Sequence, residues 1–254
     1  MRTFKKFTRK DKFTWTKDDV EHHKVNESLV EYTHDNPQQL ERPIPDWGNR
    51  PQTGSPEHNS FSKHNDSLDS IEKAHIRKYK GSSANFNHYL RHGKTRVETK
   101  KGLHSDFDRE YNKAEIKGHA EHDKHMMKVT SHKIEHHHTV YRSGIPGDEK
   151  RFPAGHKFTD HGYAGTSFHK GIAEGFSETK SNKHKPIIHV IHVHPGVKGH
   201  YLDVHGGPLS DEHELLLQRG TKFKVTHHSE DRQNHYIHSR IVSQHARKFP
   251  GSKE

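Results

Sequence analysis

Apolar positions are sparse at the start of the chain and then settle into two successive rhythms. Residues 1 to 62 are polar and basic and run through "NPQQLERPIPDWGNRPQTGSPEHNS", where Pro, Gly, Asn and Ser interrupt any period, so they read as an arm or linker with one short helix around 18 to 32. From 65 the texture changes. Leu68, Ile71, His75, Ile76 and Tyr79 recur at helical spacing, "GSS" breaks the pattern, and Phe86, Tyr89 and Leu90 resume it before Gly93. That predicts a helix pair or a kinked helix. Residues 105 to 136 supply Phe107, Tyr111, Ala114 and Ile116, then Met126, Met127, Val129 and Ile134, and read as mainly helical.

After 138 the pattern becomes that of strands: "HTVYRSG", "GYAGTSFH", "KPIIHVIHVH", "ELLLQRGTKFKVTHH" and "HYIHSRIVSQ", with one helix at "KGIAEGF" between them. Helices first and strands afterwards predict an α+β domain over 63–254, mainly helical from 63 to 138 and mainly stranded from 139 to 245, in which the sheet carries the site.

Composition narrows the function classes. Only 26% of the 254 residues are hydrophobic, below the share of an ordinary globular chain, so part of the chain is expected to lie outside a packed core. The net charge of +10 favours anionic partners such as nucleic acid or a phosphate-bearing cofactor, against the alternative of a solvated basic surface, which suits the chain as a whole better. With no cysteine there is no thiol nucleophile, disulfide framework or thiolate metal site. No apolar run approaches membrane-spanning length, and "MRTFKKFTRKDKFTW" has no signal-peptide core, so the expectation is a soluble protein of a reducing cytoplasm with no membrane partner. The 31 histidines invite a metal reading, with "HHH" at 136–138 and "HVIHVHPGVKGH" at 189–200 as candidate ligands. They are scattered over the whole length without a recurrent metal spacing, and no metal cofactor is expected.

Three strand segments hold polar residues where strand patterning predicts apolar ones. Arg142 ends "TVYR", Thr166 and Ser167 sit in "GYAGTSF", and Glu212 and Glu214 precede three leucines in "SDEHELLLQRGTKF". If Glu212 and Glu214 lie on one strand, its period of two puts both carboxylates on one face, where each disfavours the other's ionised form. A purely structural strand has little reason to do that.

In their chain order, "YRSG", "GYAGTSFHKGIAEGF" and "EHELLLQRGTKFKV" resemble the mono-ADP-ribosyltransferases of the arginine, serine-threonine-serine, glutamate class. The earlier "YKGSSANFNHYLR" is similar to the helical stretch that precedes the arginine strand in toxin and phage members, so the resemblance spans about 67 to 245. It implies a mixed β-sandwich core behind the helical part, NAD as substrate, and a protein acceptor. Glu214 then stabilises the oxocarbenium-like species formed as nicotinamide leaves, and Glu212 orients and polarises the acceptor. Members that modify arginine carry Glu at the first position, which implies an arginine acceptor, whose planar fork suits a carboxylate pair.

The same resemblance gives Arg142 the NAD phosphates and the backbone at Ser143 and Gly144 the nicotinamide amide. Thr166 and Ser167 join the residues that bind NAD. Phe176 matches an aromatic that stacks on nicotinamide, the alternative being a core residue beside Ile172 and Ala173. Lys180 stands where a second phosphate contact is usual, against the alternative of a solvated loop lysine, and Asn87 and Arg91 match a motif that approaches the adenosine side.

Two positions depart from the pattern. Gly165 replaces the first serine, whose hydrogen bond to the catalytic glutamate would fall to Thr166, Ser167 or a water, and "HGGPLSD" lacks the aromatic often found before Glu212. A short basic chain without a secretion signal or translocation domain looks more like the enzymes that tailed phages use on host proteins, acting in the host cytoplasm or carried in the virion, than like a complete bacterial toxin, the alternative being a toxin fragment cut from a larger polypeptide. The lysines and arginines of residues 1 to 62 suit docking on an acidic partner or a nucleic-acid-associated host protein, the alternative being a solvated tail. The competing reading is a non-catalytic basic, histidine-rich accessory protein that binds nucleic acid or metal, in which the glutamates only cap a strand.

Overall fold

The computed structural model describes residues 50–81, 83–93, 111–145, 147–177, 185–203 and 212–250. The helix expected around 18 to 32 lies outside them. The first described element is a helix that the composition does not announce: α1, Pro56–Ser67, starts with Pro in its first turn and with Ser55 Oγ accepting from the His58 N–H at 3.1 Å. Its polar sequence packs by one aromatic, Phe61, which is fully buried, and by Glu57, which hydrogen-bonds the buried His138. The packed domain therefore begins before 62, and the arm boundary drawn from composition is corrected.

The expected helix pair is present as α2, Ser70–Gly81, and α3, Ala84–His92. The next helix, α4, Lys113–Val129, opens with a capping box between Asn112 and Glu115. Ile76, Tyr79, Phe86, Leu90, Met126 and Val129 from these helices, with Leu68 just after α1, form one cluster with Tyr163, Leu202 and Leu216. A buried ion pair fastens α4 to the sheet side: Arg219 Nε and Nη2 donate to the two Asp123 carboxylate oxygens at 2.7 and 2.8 Å, and Tyr163 Oη also donates to Asp123. Arg219→Met leaves that carboxylate buried without its cation. A loss of about 3–5 kcal/mol of unfolding free energy is expected in denaturant titration.

The strands are β1, His138–Ser143; β2, Lys157–Asp160; β3, Ala164–Ser167; β4, Ile187–Val193; β5, Gly199–Tyr201; β6, Glu214–Leu217; β7, Thr221–Glu230; and β8, His235–Gln244. Two short helices, α5, Asp148–Arg151, and α6, Lys170–Gly175, interrupt them. The sheet order is β2-β7-β8-β4-β1-β3-β6-β5, antiparallel except for β4 against β8.

The sheet has a seam. Strand β1 runs beside β4 over six residue pairs but meets β3 at one, Tyr141 opposite Ser167. On one side of the sheet Val140, Ile191, Val193, Phe223 and Ile241 share a core with Ala164, Leu215 and Leu217, so the two parts of the sheet face each other across a common interior. This is the mixed β core with a helical cover. In β6 the alternation sends Leu215 and Leu217 into that interior and Leu216 into the helical cluster, which explains why three consecutive leucines are buried. Glu214 shares the face of Leu216 and so looks toward α2. Among the described residues no helix is long and apolar enough to cross a membrane, and no three His, Asp or Glu side chains converge to hold a metal ion.

Candidate active site

Where β1 and β3 part, a cavity of about 570 Å³ opens, within the ordinary range for a small-ligand site, about 300–1,000 Å³. Its walls bring together three separated segments of the chain. Arg142 and Ser143 come from β1, Gly165, Thr166 and Ser167 from β3, Glu214 from the start of β6 and Glu212 from just before it. Tyr79 and Lys80 close it from the end of α2, and Phe176 from the end of α6.

Glu212 and Glu214 converge, but not by strand period. The strand begins only at Glu214, and His213 before it has a φ of 47°, a left-handed conformation uncommon for a side-chain-bearing residue. The expectation of two carboxylates on one strand face is therefore corrected: a kink at His213 brings Glu212 over the same opening. Both carboxyls end near one ammonium, with Lys80 Nζ 3.6 Å from Glu212 Oε2 and 3.8 Å from Glu214 Oε2. Burial pushes the Glu214 carboxyl up. Lys80 opposes this while Glu212 and Asp203 reinforce it, and the outcome is a pKa of about 8.

The hydroxyls of β3 do not touch the Glu214 carboxyl. Thr166 Oγ1 donates to the Leu215 carbonyl at 2.6 Å, and Ser167 Oγ donates to the Glu212 carbonyl at 2.7 Å while accepting from His169 N–H. They brace the backbone that carries the two glutamates. From the other side Asp203 Oδ2 accepts the Glu214 N–H at 2.7 Å. Of the partners expected for the Glu214 carboxyl, Thr166 and Ser167 are thus both engaged elsewhere. Gly165 has a steric role instead: a Cβ there would lie 2.8 Å from Glu214 Oε1, so glycine lets that carboxyl rest against β3.

Arg142 lines the cavity but is held from behind. Its Nη1 donates to Asp160 Oδ2 at 2.8 Å, and Arg91 donates to the same carboxylate through Nε and Nη2 at 2.8 and 3.0 Å. Burial pushes the Asp160 carboxyl up, but the two guanidinium charges outweigh it and hold its pKa at about 2. Asp160 thus fixes the arginine fork while the rest of Arg142, with 29% of its side chain exposed, faces the opening.

The other expected site residues divide. Phe176 is 63% exposed at the rim, so the core alternative beside Ile172 and Ala173 does not hold. Asn87 does not line the cavity: its Nδ2 donates to Tyr79 Oη at 2.9 Å and its Oδ1 accepts from Tyr163 N–H at 2.9 Å. It supports the wall rather than approaching a ligand, and Arg91, bound to Asp160, does likewise. Gly144 N–H, expected near the nicotinamide amide, already donates to the Ile187 carbonyl at 2.7 Å. Lys180 lies outside the described residues.

Sequence reasoning missed Lys80, Asp203, Asp160 and Tyr79. Lys80 and Tyr79 were in view in "YKGSSANFNHYLR", where a lysine after a helical tyrosine reads as a solvated helix end. Nothing in the spacing of Asp160 or Asp203 distinguishes them from surface acids.

The sequence pattern of the ADP-ribosyltransferase exoenzyme family matches residues 57–245. Solved structures resemble the chain in fold at low identity. The Vis toxin of Vibrio splendidus, an ADP-ribosyltransferase, is 12% identical over 92% of this chain and 89% of its own, with a TM-score of 0.52. An ADP-ribosyltransferase from Clostridium botulinum is 16% identical over 79% of this chain and 99% of its own, with a TM-score of 0.55. An ADP-ribosylating toxin of C. perfringens, part of a binary enterotoxin and solved with NADH, is 16% identical over 73% of this chain and 46% of its own, with a TM-score of 0.56. No curated protein matches the chain in sequence.

Proposed function

The chain belongs to the ADP-ribosyltransferase exoenzyme family, whose chemistry is transfer of ADP-ribose from NAD to protein, and from that premise we propose that its acceptor is an arginine side chain. The observation that carries this reading is the convergence of Glu212 and Glu214 within 4 Å of one ammonium group at the mouth of a cavity. An anionic pair already holding a cation suits a guanidinium, which delivers two parallel donors to a carboxylate.

In this mechanism the bond between the ribose C1′ and the nicotinamide nitrogen breaks, and its electron pair leaves with nicotinamide. Glu214, ionised, faces the positive charge that develops on the ribose. Arg142 holds the pyrophosphate, and exposed Phe176 offers its ring to nicotinamide. An acceptor guanidinium nitrogen then bonds C1′, and Glu212 takes up the proton that this nitrogen loses.

Addition of the protein to NAD is expected to release nicotinamide. NAD at about 100 times its Kd is expected to stabilise the fold by about 2.7 kcal/mol, seen as a rise in Tm, and Arg142→Ala to abolish most of that rise. An undiminished rise removes Arg142 from the site. Labelling a cell extract with tagged NAD, followed by mass spectrometry, identifies the acceptor residue, and label on residues other than arginine overturns the acceptor assignment. The same labelling at low and moderate salt tests the narrower reading of a phage effector acting in the host cytoplasm on a nucleic-acid-associated protein. Electrostatic docking of that kind weakens steeply with salt.

A further inference from the structure

We propose that Lys80 is a positioning residue that holds the Glu214 and Glu212 carboxylates over the cavity, doing from α2 what no side chain on β3 can do beside Gly165. The proposal rests on the cavity being the NAD-cleaving site. Lys80 lies in the last turn of α2, and its side chain is 8% exposed, an unusual depth for a lysine. Its ammonium donates to Asp203 Oδ1 at 2.5 Å. The other oxygen of that carboxylate accepts the Glu214 N–H, so the cation is tied to the backbone that carries the residue it serves.

From that anchor Lys80 Nζ reaches Glu212 at 3.6 Å and Glu214 at 3.8 Å. Among the described residues it is the one cation that approaches both. The hydroxyls of Thr166 and Ser167, next to Gly165 on β3, are spent on main-chain carbonyls. Gly165 leaves the Glu214 carboxyl free to lean toward β3, and without a counter-charge three carboxyl groups would share one recess.

An ammonium suits this place because it is a compact charge with three donors, able to serve several carboxylates at once. One cation among three acids still leaves the recess anionic, so Lys80 aligns the glutamates without cancelling their attraction for a cationic acceptor. Its position at the last turn of α2, where cations are favoured by the helix dipole, gives it a fixed base.

The test compares Lys80→Met, which keeps the stem and removes the charge, with Lys80→Arg, which keeps the charge. Lys80→Met is expected to lower kcat for nicotinamide release by about 10- to 100-fold. The KM for NAD should stay near the wild-type value, and the rising limb of the pH profile should move about one pH unit to the alkaline side. Lys80→Arg should recover most of the rate and the profile. Wild-type kcat and an unmoved limb in Lys80→Met overturn the proposal.

Absence of nicotinamide release from the wild-type protein would instead sink the parent reading. Lys80 is then judged by stability alone. The drop in Tm caused by Lys80→Met at pH 9 should be larger with Glu214 present than in Glu214→Gln, and equal drops in the two backgrounds overturn the positioning role. Should Lys80→Met fail to fold because Asp203 is left unpaired, Lys80→Met with Asp203→Asn removes the buried pair together and carries the same comparisons.

Discussion

Glu214→Gln is expected to remove NAD hydrolysis and ADP-ribose transfer together, each falling by about 10²–10³-fold, because both pass through the same cationic ribose species. Gln keeps the shape of the side chain and loses the charge, so NAD should still raise Tm. Retained hydrolysis in this variant would remove Glu214 from the bond-breaking step. The electrostatics favour a large effect. The carboxyl sits in a recess with Glu212 and Asp203, little screened by water, where a full negative charge is worth far more than at a surface.

The same recess makes Glu214 costly to the folded protein. Burial, with Glu212 and Asp203 adding and Lys80 subtracting, lifts its pKa from 4.5 to about 8. For a carboxyl raised on folding, the native state binds the extra proton between those values, so its contribution to stability is fully present below pH 4.5 and is lost as pH rises through 8. At about 1.4 kcal/mol per pH unit of displacement, the loss is of the order of 3–5 kcal/mol. Glu214→Gln should therefore lose less stability than wild type between pH 6 and 9 in parallel denaturant titrations. Catalysis runs the other way: kcat/KM for NAD should rise as Glu214 ionises, with a midpoint near 8 in the free enzyme.

The chain's texture revealed the order of elements because helical and strand periods are written in its apolar positions. The helix pair at 70–92, the long helix ending at Val129 and the strands at 138–143, 164–167, 187–193, 214–217 and 235–244 all carry such a pattern. Helix α1 escaped because one buried aromatic, Phe61, anchors twelve otherwise polar residues, leaving no period to see. Strands β2 and β5, four and three residues long, are held in place by neighbours rather than by their own alternation.

The site divides in the same way. Arg142, Thr166, Ser167, Glu212 and Glu214 were legible because charge or hydroxyl interrupts an apolar strand. Lys80, Asp160 and Asp203 were not, since each is an ordinary polar residue at an element end until folding buries it against a residue far along the chain. Asn87 and Arg91 show the converse. Their motif was visible, yet tertiary partners turn one toward Tyr79 and Tyr163 and the other toward Asp160, making them supports of the wall.

Glu212→Gln should separate the two half-reactions that Glu214→Gln abolishes together. Transfer to an arginine-containing peptide is expected to fall by about 10²-fold, since the guanidinium loses the partner that orients it and accepts its proton. Hydrolysis of NAD should survive, because water needs no such fork. Geometry separates the two residues: the Glu212 side chain is 32% exposed at the mouth, whereas that of Glu214 is 13% exposed within. A second signature follows from charge. Glu212 is one of the groups that hold the Glu214 pKa up, so its neutralisation lets Glu214 ionise at lower pH and shifts the rising limb of hydrolysis to the acid side. At about pH 6.5 the variant should then hydrolyse NAD at least as fast as the wild-type protein while labelling the peptide poorly. Nicotinamide release and peptide labelling, followed in the same tubes from about pH 6 to 9, read both effects. Parallel loss of the two activities with an unmoved limb would show that Glu212 belongs to the bond-breaking step rather than to the acceptor.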